Sequence, residues 1–380
     1  MEKNQIEIQK TAMSTRVLKF IISGGGTGGH IFPAVAIADE LRKKHPDCDI
    51  LFVGAKDRME MEKVPKAGYP IEGLWISGLQ RKLSVENLLF PVKLIASLLK
   101  AAKIIKRFKP DVVIGVGGYA SAAVLRVATS KGIPTLIQEQ NSFPGITNKW
   151  LAPKVNKICV AYEGMEKFFP ESKIKLTGNP VREEMVNIDG KKEEAYQFFD
   201  LDPEKPTILI TGGSLGAKSI NQNISQGLQD LIDNGSQVLW QTGKPYYQEA
   251  LESSSKFEEV KVHEFIYKMD FAYAVADIVV ARAGAITVSE LSLVKKPAIL
   301  LPYPYASEDH QTKNAMALVK NDAAIHIADH KASEKLIDTI VSLLKDSTRR
   351  AQLESNLAAL GHKNATESIA NEVLNLISDK

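Results

Sequence analysis

Strand-like apolar runs alternate with helical periodicity along this chain, and the alternation begins twice. In the first half the apolar runs fall at 17–22, 50–53, 71–75, 112–114, 135–137 and 157–160, with helical periodicity at 34–44 and 88–108. The pattern restarts at 207–210 and continues at 237–240, 260–263, 278–280 and 298–300. Helices are predicted between these runs at 219–232, 286–293 and 311–320. Such alternation requires right-handed βαβ crossovers, and hence a largely parallel, doubly wound sheet. Both starts share one form, an apolar strand, Gly-Gly, Ser or Thr, then Gly, near 20–28 and again near 208–216. At 380 residues the chain is too long for one ordinary core. Two Rossmann-like halves are therefore predicted. The first spans 16–181 and the second 182–355, with a disordered extension over 1–15 and a helical tail over 356–380 that packs back on the first half.

Three glycine-rich turns follow apolar runs. They read Ser23-Gly24-Gly25-Gly26-Thr27-Gly28-Gly29-His30, Gly115-Val116-Gly117-Gly118-Tyr119 and Thr211-Gly212-Gly213-Ser214-Leu215-Gly216-Ala217. Each stands where a parallel strand hands over to a helix, so bare N–H groups and a helix dipole can face an anion. Glycine allows the sharp turn and leaves no Cβ between backbone and phosphate. Together the three turns point to an enzyme that handles a phosphorylated ligand in a cleft.

A dinucleotide fingerprint is present in outline, since Gly24, Gly26 and Gly29 satisfy G-x-G-x-x-G. The acid that should close the second strand and hold a ribose is missing, because that strand runs into Gly54-Ala55-Lys56 and Asp57 falls in the following segment. No Gly-Lys-Ser/Thr ends any turn, which excludes a Walker loop. Cys48 and Cys159 form no disulfide framework and have no metal-ligand spacing. Asp47-Cys48-Asp49 and Asp200-Leu201-Asp202 have the form of a metal-binding Asp-x-Asp, but each is better read as a turn before a strand or a proline. The sequence thus implies no cofactor and no metal.

These turns, together with Gln138-Glu139-Gln140-Asn141, Gly178-Asn179-Pro180-Val181-Arg182, the run 282–290 and Asp309-His310-Gln311, closely resemble the MurG family of peptidoglycan glycosyltransferases. The resemblance runs in unbroken order from about residue 17 to 360. It implies the GT-B architecture, two Rossmann-like domains facing a cleft, with the acceptor on the first domain and UDP-N-acetylglucosamine on the second. The implied reaction is inverting transfer of N-acetylglucosamine to the C4 hydroxyl of undecaprenyl-diphospho-N-acetylmuramoyl-pentapeptide. By resemblance Thr27, Gly28, Gly29, Asn141, Arg182, Ser214, Ile266, Ala285, Ile286, Thr287, Val288, Ser289, Glu290 and Gln311 match donor-binding positions. The family commonly has His where Gln138 stands, which concentrates attention on His30 as catalytic base.

The residues are compatible with those roles. Gly212, Gly213 and Gly216, with the Ser214 hydroxyl, can bind a diphosphate, and Arg182 can add charge-assisted hydrogen bonds. Glu290 can accept both ribose hydroxyls, Ile266 can meet uracil through its backbone, and Gln311 can donate to and accept from a sugar. Gly117, Gly118 and Tyr119 are candidates for the acceptor diphosphate. Each has a plainer alternative. His30 can cap or pack, the 115–119 turn can serve strand–helix packing, Arg182 can anchor the junction, and Glu290 can stabilise a helix dipole from its first turn.

Residues 76–110 carry Arg81, Lys82, Lys93, Lys100, Lys103, Lys106, Arg107 and Lys109 against Glu86 alone, interleaved with Leu79, Leu83, Leu88, Leu89 and Phe90. Charge runs are usually solvated faces. Apolar residues rimmed by cations also suit an anionic leaflet, and a polyprenyl acceptor requires contact with one, which implies a peripheral site on the cytoplasmic side of the inner membrane. Aromatics for stacking are sparse, so nucleic acid is not expected. Two rival readings stand beside the main one. One is another GT-B enzyme, such as a diacylglycerol glucosyltransferase or a UDP-N-acetylglucosamine 2-epimerase. The other is a non-catalytic nucleotide-sugar-binding membrane protein.

Overall fold

The computed structural model describes residues 16–77 and 89–378. The 1–15 extension and Leu79, Arg81, Lys82, Leu83, Glu86 and Leu88 of the basic segment lie outside the described residues. The chain forms two compact units, the first comprising Met1–Gln140, Pro144–Pro180 and Asn364–Lys380, the second Asn141–Phe143 and Val181–Lys363.

In the first unit the strands are β1 (Lys19–Ser23), β2 (Asp49–Ala55), β3 (Ile71–Leu74), β4 (Val112–Gly115), β5 (Thr135–Glu139), β6 (Lys157–Val160) and β7 (Ile174–Leu176). The helices are α1 (Gly28–Lys44), α2 (Glu60–Lys66), α3 (Phe90–Phe108), α4 (Tyr119–Ser130) and α5 (Ile146–Leu151). Sheet order is β3-β2-β1-β4-β5-β6-β7, and its pairings are parallel. Both faces are covered, which is why the strands read as continuous apolar runs. Ile21, Leu51, Val113 and Ile137 pack on the face of α3 and α4, while Phe20, Ile22, Phe52 and Ile114 pack on that of α1.

In the second unit α6 (Glu183–Val186) and α7 (Lys192–Phe199) precede β8 (Thr207–Thr211). There follow α8 (Lys218–Asp233), β9 (Gln237–Gln241), α9 (Tyr247–Ser254), β10 (Val260–His263), α10 (Met269–Val275), β11 (Ile278–Ala281), α11 (Ala285–Val294) and β12 (Ala298–Leu300). The unit continues through α12 (His310–Val319), β13 (Ile325–His326), α13 (Ala332–Lys345) and α14 (Ser347–Leu360). Its sheet order, β10-β9-β8-β11-β12-β13, is again parallel. Each unit ties its first strand in the same way. Asp111 before β4 accepts the Lys19 N–H at 2.9 Å, and Asp277 before β11 accepts the Thr207 N–H at 2.7 Å.

The last helix, α15 (Ala365–Ser378), returns to the first unit from Asn364, later than the residue 356 at which the sequence suggested a tail. Ile369, Ala370 and Val373 enter the core beside α1, and Glu367 and Glu372 pair with Lys44 and Lys157 at 3.0 and 3.3 Å. Full burial of Ile369 and Val373 is worth about 1.5–3 kcal/mol each, more than exposed ion pairs supply. Helix α1 starts at Gly28, six residues before the predicted 34, although Pro33 lies inside it. Proline at this sixth helical position gives up the hydrogen bond to the Gly29 carbonyl.

Candidate active site

Ligands of open parallel sheets meet the loops after the carboxyl ends of the strands, at the point where strand order reverses. In the first unit that point lies between β1 and β4, and the first two glycine turns lie there. They touch. A Cβ on Gly118 would stand 2.7 Å from the Gly25 carbonyl oxygen, and one on Gly117 would stand 2.8 Å from Nε2 of His30. These two glycines thus have a packing reason that requires no ligand. Tyr119, the first residue of α4, is exposed.

His30 is the third residue of α1 and half-buried. Its Nδ1 lies 2.9 Å from the Gly25 carbonyl. A carbonyl only accepts, so Nδ1 carries a proton and, in the neutral ring, Nε2 keeps its lone pair. Thr27, Gly28 and Gly29 open the same helix, where first-turn N–H groups have no intrahelical acceptor. Gln138 is fully buried, donating to Asn179 at 3.0 Å, and so serves internal packing.

Sequence reading missed the acid that does follow β2. Glu60, wholly buried at the start of α2, turns back beneath the first turn and accepts the Ala55 and Gly26 N–H groups, each at 2.9 Å. It occupies the turn from behind instead of waiting for a ribose. A carboxylate set between Met59 and Met61 one turn after a strand was the available signal.

In the second unit the reversal lies between β8 and β11, beside the third glycine turn. Gly216 has φ +75°, and a Cβ there would stand 1.9 Å from the Thr242 carbonyl oxygen, so no other residue fits. Two of its amides are already used. Gly213 N–H donates to Thr211 Oγ1 at 3.3 Å and Gly216 N–H to the Gly213 carbonyl at 3.0 Å. Ser214 and Leu215 are exposed, and their N–H groups make no hydrogen bond among the described residues. The donors left open at this turn are therefore those two amides and the start of α8, with Gly213 and Gly216 shaping the turn. Gln241, also missed, joins β9 to this turn. Its amide donates to Thr211 and to the Gly213 carbonyl, and its oxygen accepts the Ile266 N–H at 2.9 Å. That leaves the Ile266 carbonyl as the backbone group available to a base.

Glu290 is the sixth residue of α11 and not in its first turn, so the dipole alternative falls. The buried Tyr273 hydroxyl donates to its Oε2 at 2.9 Å. Burial pushes the Glu290 carboxyl up to about 7, against the opposing pull of that hydrogen bond and of the Arg182 charge. Arg182 stands at the start of α6, 3.9 Å from Glu184. Ala285, Ile286 and Thr287 form the first turn of α11, Val288 is buried, and the Ser289 hydroxyl donates back to the Ala285 carbonyl at 3.1 Å. Gln311 Oε1 accepts the Tyr303 N–H at 2.9 Å, which leaves its NH2 group as a donor and one lone pair on the oxygen. Asn141 sits with this unit because the wholly buried Asn314 donates to it at 3.1 Å and accepts the Ser142 N–H at 3.0 Å. The candidate residues thus form two groups. Thr27, Gly28, Gly29, His30, Gly117, Gly118 and Tyr119 are in the first unit, and the remainder are in the second.

Among the described residues no cluster has the make-up of a metal site. Asp200 pairs with Lys261 and Asp202 caps the turn at Glu204, while Asp49 pairs with Lys19. No described helix is long and apolar enough to cross a membrane. Helix α3 nevertheless exposes Val92, Ile95 and Leu99, the last two by 59% and 68%, opposite its buried Ala101, Ile104 and Ile105, and Leu89 just before it is exposed as well. Several of its cations are tied back. Lys93 reaches Ser77, Lys100 the Gly73 carbonyl, and Arg107 Glu72, whereas Lys103 and Lys106 are exposed.

Residues 20–160 match the glycosyltransferase family 28 N-terminal domain, and residues 207–372 match the glycosyltransferase family 28 C-terminal domain. The chain is 53% identical, over 95% of its length and 98% of the relative's, to a protein of Flavobacterium psychrophilum named UDP-N-acetylglucosamine--N-acetylmuramyl-(pentapeptide) pyrophosphoryl-undecaprenol N-acetylglucosamine transferase. It is 54% identical to the protein of that name from Cytophaga hutchinsonii, over 95% and 97% of the two chains. The crystal structure of Acinetobacter baumannii MurG superposes with a TM-score of 0.76 at 27% identity, covering 94% of this chain and 99% of that one. A UDP-GlcNAc 2-epimerase from Neisseria meningitidis, bound to UDP-GlcNAc, has the same fold at a TM-score of 0.64 and 16% identity, over 95% and 100% of the two chains.

Proposed function

The chain belongs to glycosyltransferase family 28, and from that premise we propose that it transfers N-acetylglucosamine from UDP-N-acetylglucosamine to the C4 hydroxyl of undecaprenyl-diphospho-N-acetylmuramoyl-pentapeptide, with inversion. The observation that carries this reading is that one unit holds an imidazole whose Nδ1 is engaged by a backbone carbonyl and the other a half-buried carboxylate that accepts from Tyr273. His30 Nε2 takes the proton of the attacking hydroxyl as the new bond forms at the anomeric carbon. The departing diphosphate is stabilised by the Ser214 and Leu215 amides, the first turn of α8 and Arg182. Glu290 holds the ribose, the Ile266 carbonyl meets uracil, and Gln311 donates to the sugar. Thr27, Gly28 and Gly29 offer N–H groups to the donor, and the turn at Gly117, Gly118 and Tyr119 lies beside the acceptor diphosphate. An epimerase needs no acceptor, so incubation of the protein with radiolabelled UDP-N-acetylglucosamine and the purified lipid acceptor is decisive. Label is expected in the lipid fraction. Label confined to free sugar or to an epimerised nucleotide sugar overturns the reading.

The protein works as a peripheral enzyme at an anionic leaflet on the cytoplasmic side of the inner membrane, with α3 as the contact. Its exposed apolar stripe supports this, because Ile95 and Leu99 add transfer energy that salt does not screen, on the order of 1.5–3 kcal/mol each if fully inserted. Lys103 and Lys106 add a screened attraction of about 1 kcal/mol apiece near the surface. In co-sedimentation with phosphatidylglycerol vesicles, Ile95→Ser/Leu99→Ser is expected to lose the salt-resistant part of binding and to keep activity on a soluble acceptor analogue. Equal sedimentation of variant and wild type removes α3 from the contact.

A further inference from the structure

The Gly25 carbonyl and the Gly26 N–H belong to one peptide group, and that group is held at both ends. Its N–H donates to Glu60 Oε2 at 2.9 Å, and its carbonyl accepts from His30 Nδ1 at 2.9 Å. The other Glu60 oxygen is fixed by the Ala55 N–H at the end of β2. The cradle is cut to this carboxylate. A Cβ on Gly25 would stand 2.1 Å from Oε1, and one on Gly54 would stand 2.5 Å from the Glu60 Cγ.

We propose that Glu60 is a positioning residue for the transfer reaction, acting on His30 through the Gly25–Gly26 peptide. A carboxylate on an amide N–H polarises that amide and makes its carbonyl a stronger acceptor. The stronger acceptor holds Nδ1–H, keeps the Nε2 lone pair for the substrate proton, and stabilises the imidazolium once that proton arrives. This is the logic of the acid that orients histidine in a catalytic triad, with one peptide interposed. The Nε2 side is kept open by Gly117. Among the described residues His30 makes no ion pair. The second turn that packs on it brings only Tyr119 as a titratable neighbour, and α2 brings Glu60.

The inference rests on His30 being the base, and its test is separable from that reading. Imidazole nitrogen NMR of the full chain, with the His30 signals assigned by their loss in His30→Ala, reads tautomer and titration without turnover. Wild type is expected to show the Nδ1–H tautomer. Glu60→Gln leaves an amide that cannot accept both N–H groups, and should lower the His30 titration midpoint by about half a pH unit, a threefold loss of proton affinity. Turnover should fall by about tenfold or more with UDP affinity unchanged, and the acidic limb of the kcat profile should move to lower pH with the imidazole. A role in folding alone would reduce stability and leave both midpoints in place. An Nε2–H tautomer in the wild type overturns the relay with no variant needed, as does an unshifted titration in folded Glu60→Gln. If His30→Ala keeps its turnover, the base assignment falls, while the relay is still judged by the NMR titration.

Discussion

The first and third glycine turns look alike in sequence and are used differently. Both follow the first strand of a parallel sheet, at the point where strand order reverses, and open a helix. The first is occupied from behind by Glu60, and its Gly25 carbonyl holds an imidazole. The third carries no buried acid. Its glycines let the backbone pass within contact of Thr242 and Gly243, and its exposed Ser214 and Leu215 leave their amides without a hydrogen bond among the described residues. The candidate proton acceptor lies at one turn and the candidate anion-binding amides at the other. A strand–glycine–helix motif therefore specifies bare backbone polarity, and the neighbouring buried side chain decides its use.

The sharpest way to break this comparison is His30→Ala. Loss of a positioned base is expected to lower kcat by about 10²–10⁴-fold. UDP affinity should stay within about twofold, since the candidate uridine-binding residues are in the other unit. Steady-state kinetics beside calorimetric UDP titration check both. Turnover within a few-fold of wild type would mean that the first turn does not hold the base.

Much of the fold was legible because parallel strands covered on both faces leave unbroken apolar runs, as at Phe20-Ile21-Ile22 and Ile208-Leu209-Ile210. The short edge strands β7 and β13 were missed, since three and two residues carry too little pattern. The start of α1 was missed because a glycine pair and Pro33 mimic a turn. The candidate site was readable where its residues lie in a contiguous motif. Glu60, Gln241, Tyr273 and Asn314 were not read, because each acts through a partner brought near only by tertiary folding. Tyr273 meets Glu290 from another helix, and Asn314 meets Asn141 across 173 residues of sequence.

Glu290→Ala probes the other turn and should weaken UDP by about 1–3 kcal/mol, the cost of leaving hydrogen-bond partners unpaired. The pH dependence has two signs. With the carboxyl raised to about 7, UDP should bind about tenfold less tightly at pH 6 than at pH 8, because only the ionised form accepts both hydroxyls. Folding stability without ligand runs the other way. A raised folded-state pKa contributes stability that is present below the ordinary carboxyl range and lost as pH rises through about 7. Glu290→Gln should flatten both profiles, in calorimetry and in thermal melts at pH 5 and 8. A UDP affinity that is level from pH 6 to 8 in the wild type would remove the carboxylate from the ribose contact.

Tyr273→Phe is expected to have the smallest effect and is the most specific test of how the second unit prepares its acid. The hydroxyl donates to Glu290 Oε2 and so favours the ionised carboxyl, working against the burial that raises it. Phenylalanine keeps the ring in the buried site and removes only that bond, worth about 0.5–1.5 kcal/mol net. The Glu290 carboxyl should then titrate at higher pH than in the wild type. The loss of UDP affinity should be a few-fold near pH 7.5 and shrink as pH rises, whereas Glu290→Ala should lose affinity at every pH. If the Tyr273→Phe deficit were constant across pH, the tyrosine would act by shaping the pocket and not through the charge of Glu290. The comparison with Glu60 would then fail, because only the first unit would hold its functional group by a buried hydrogen-bonded partner.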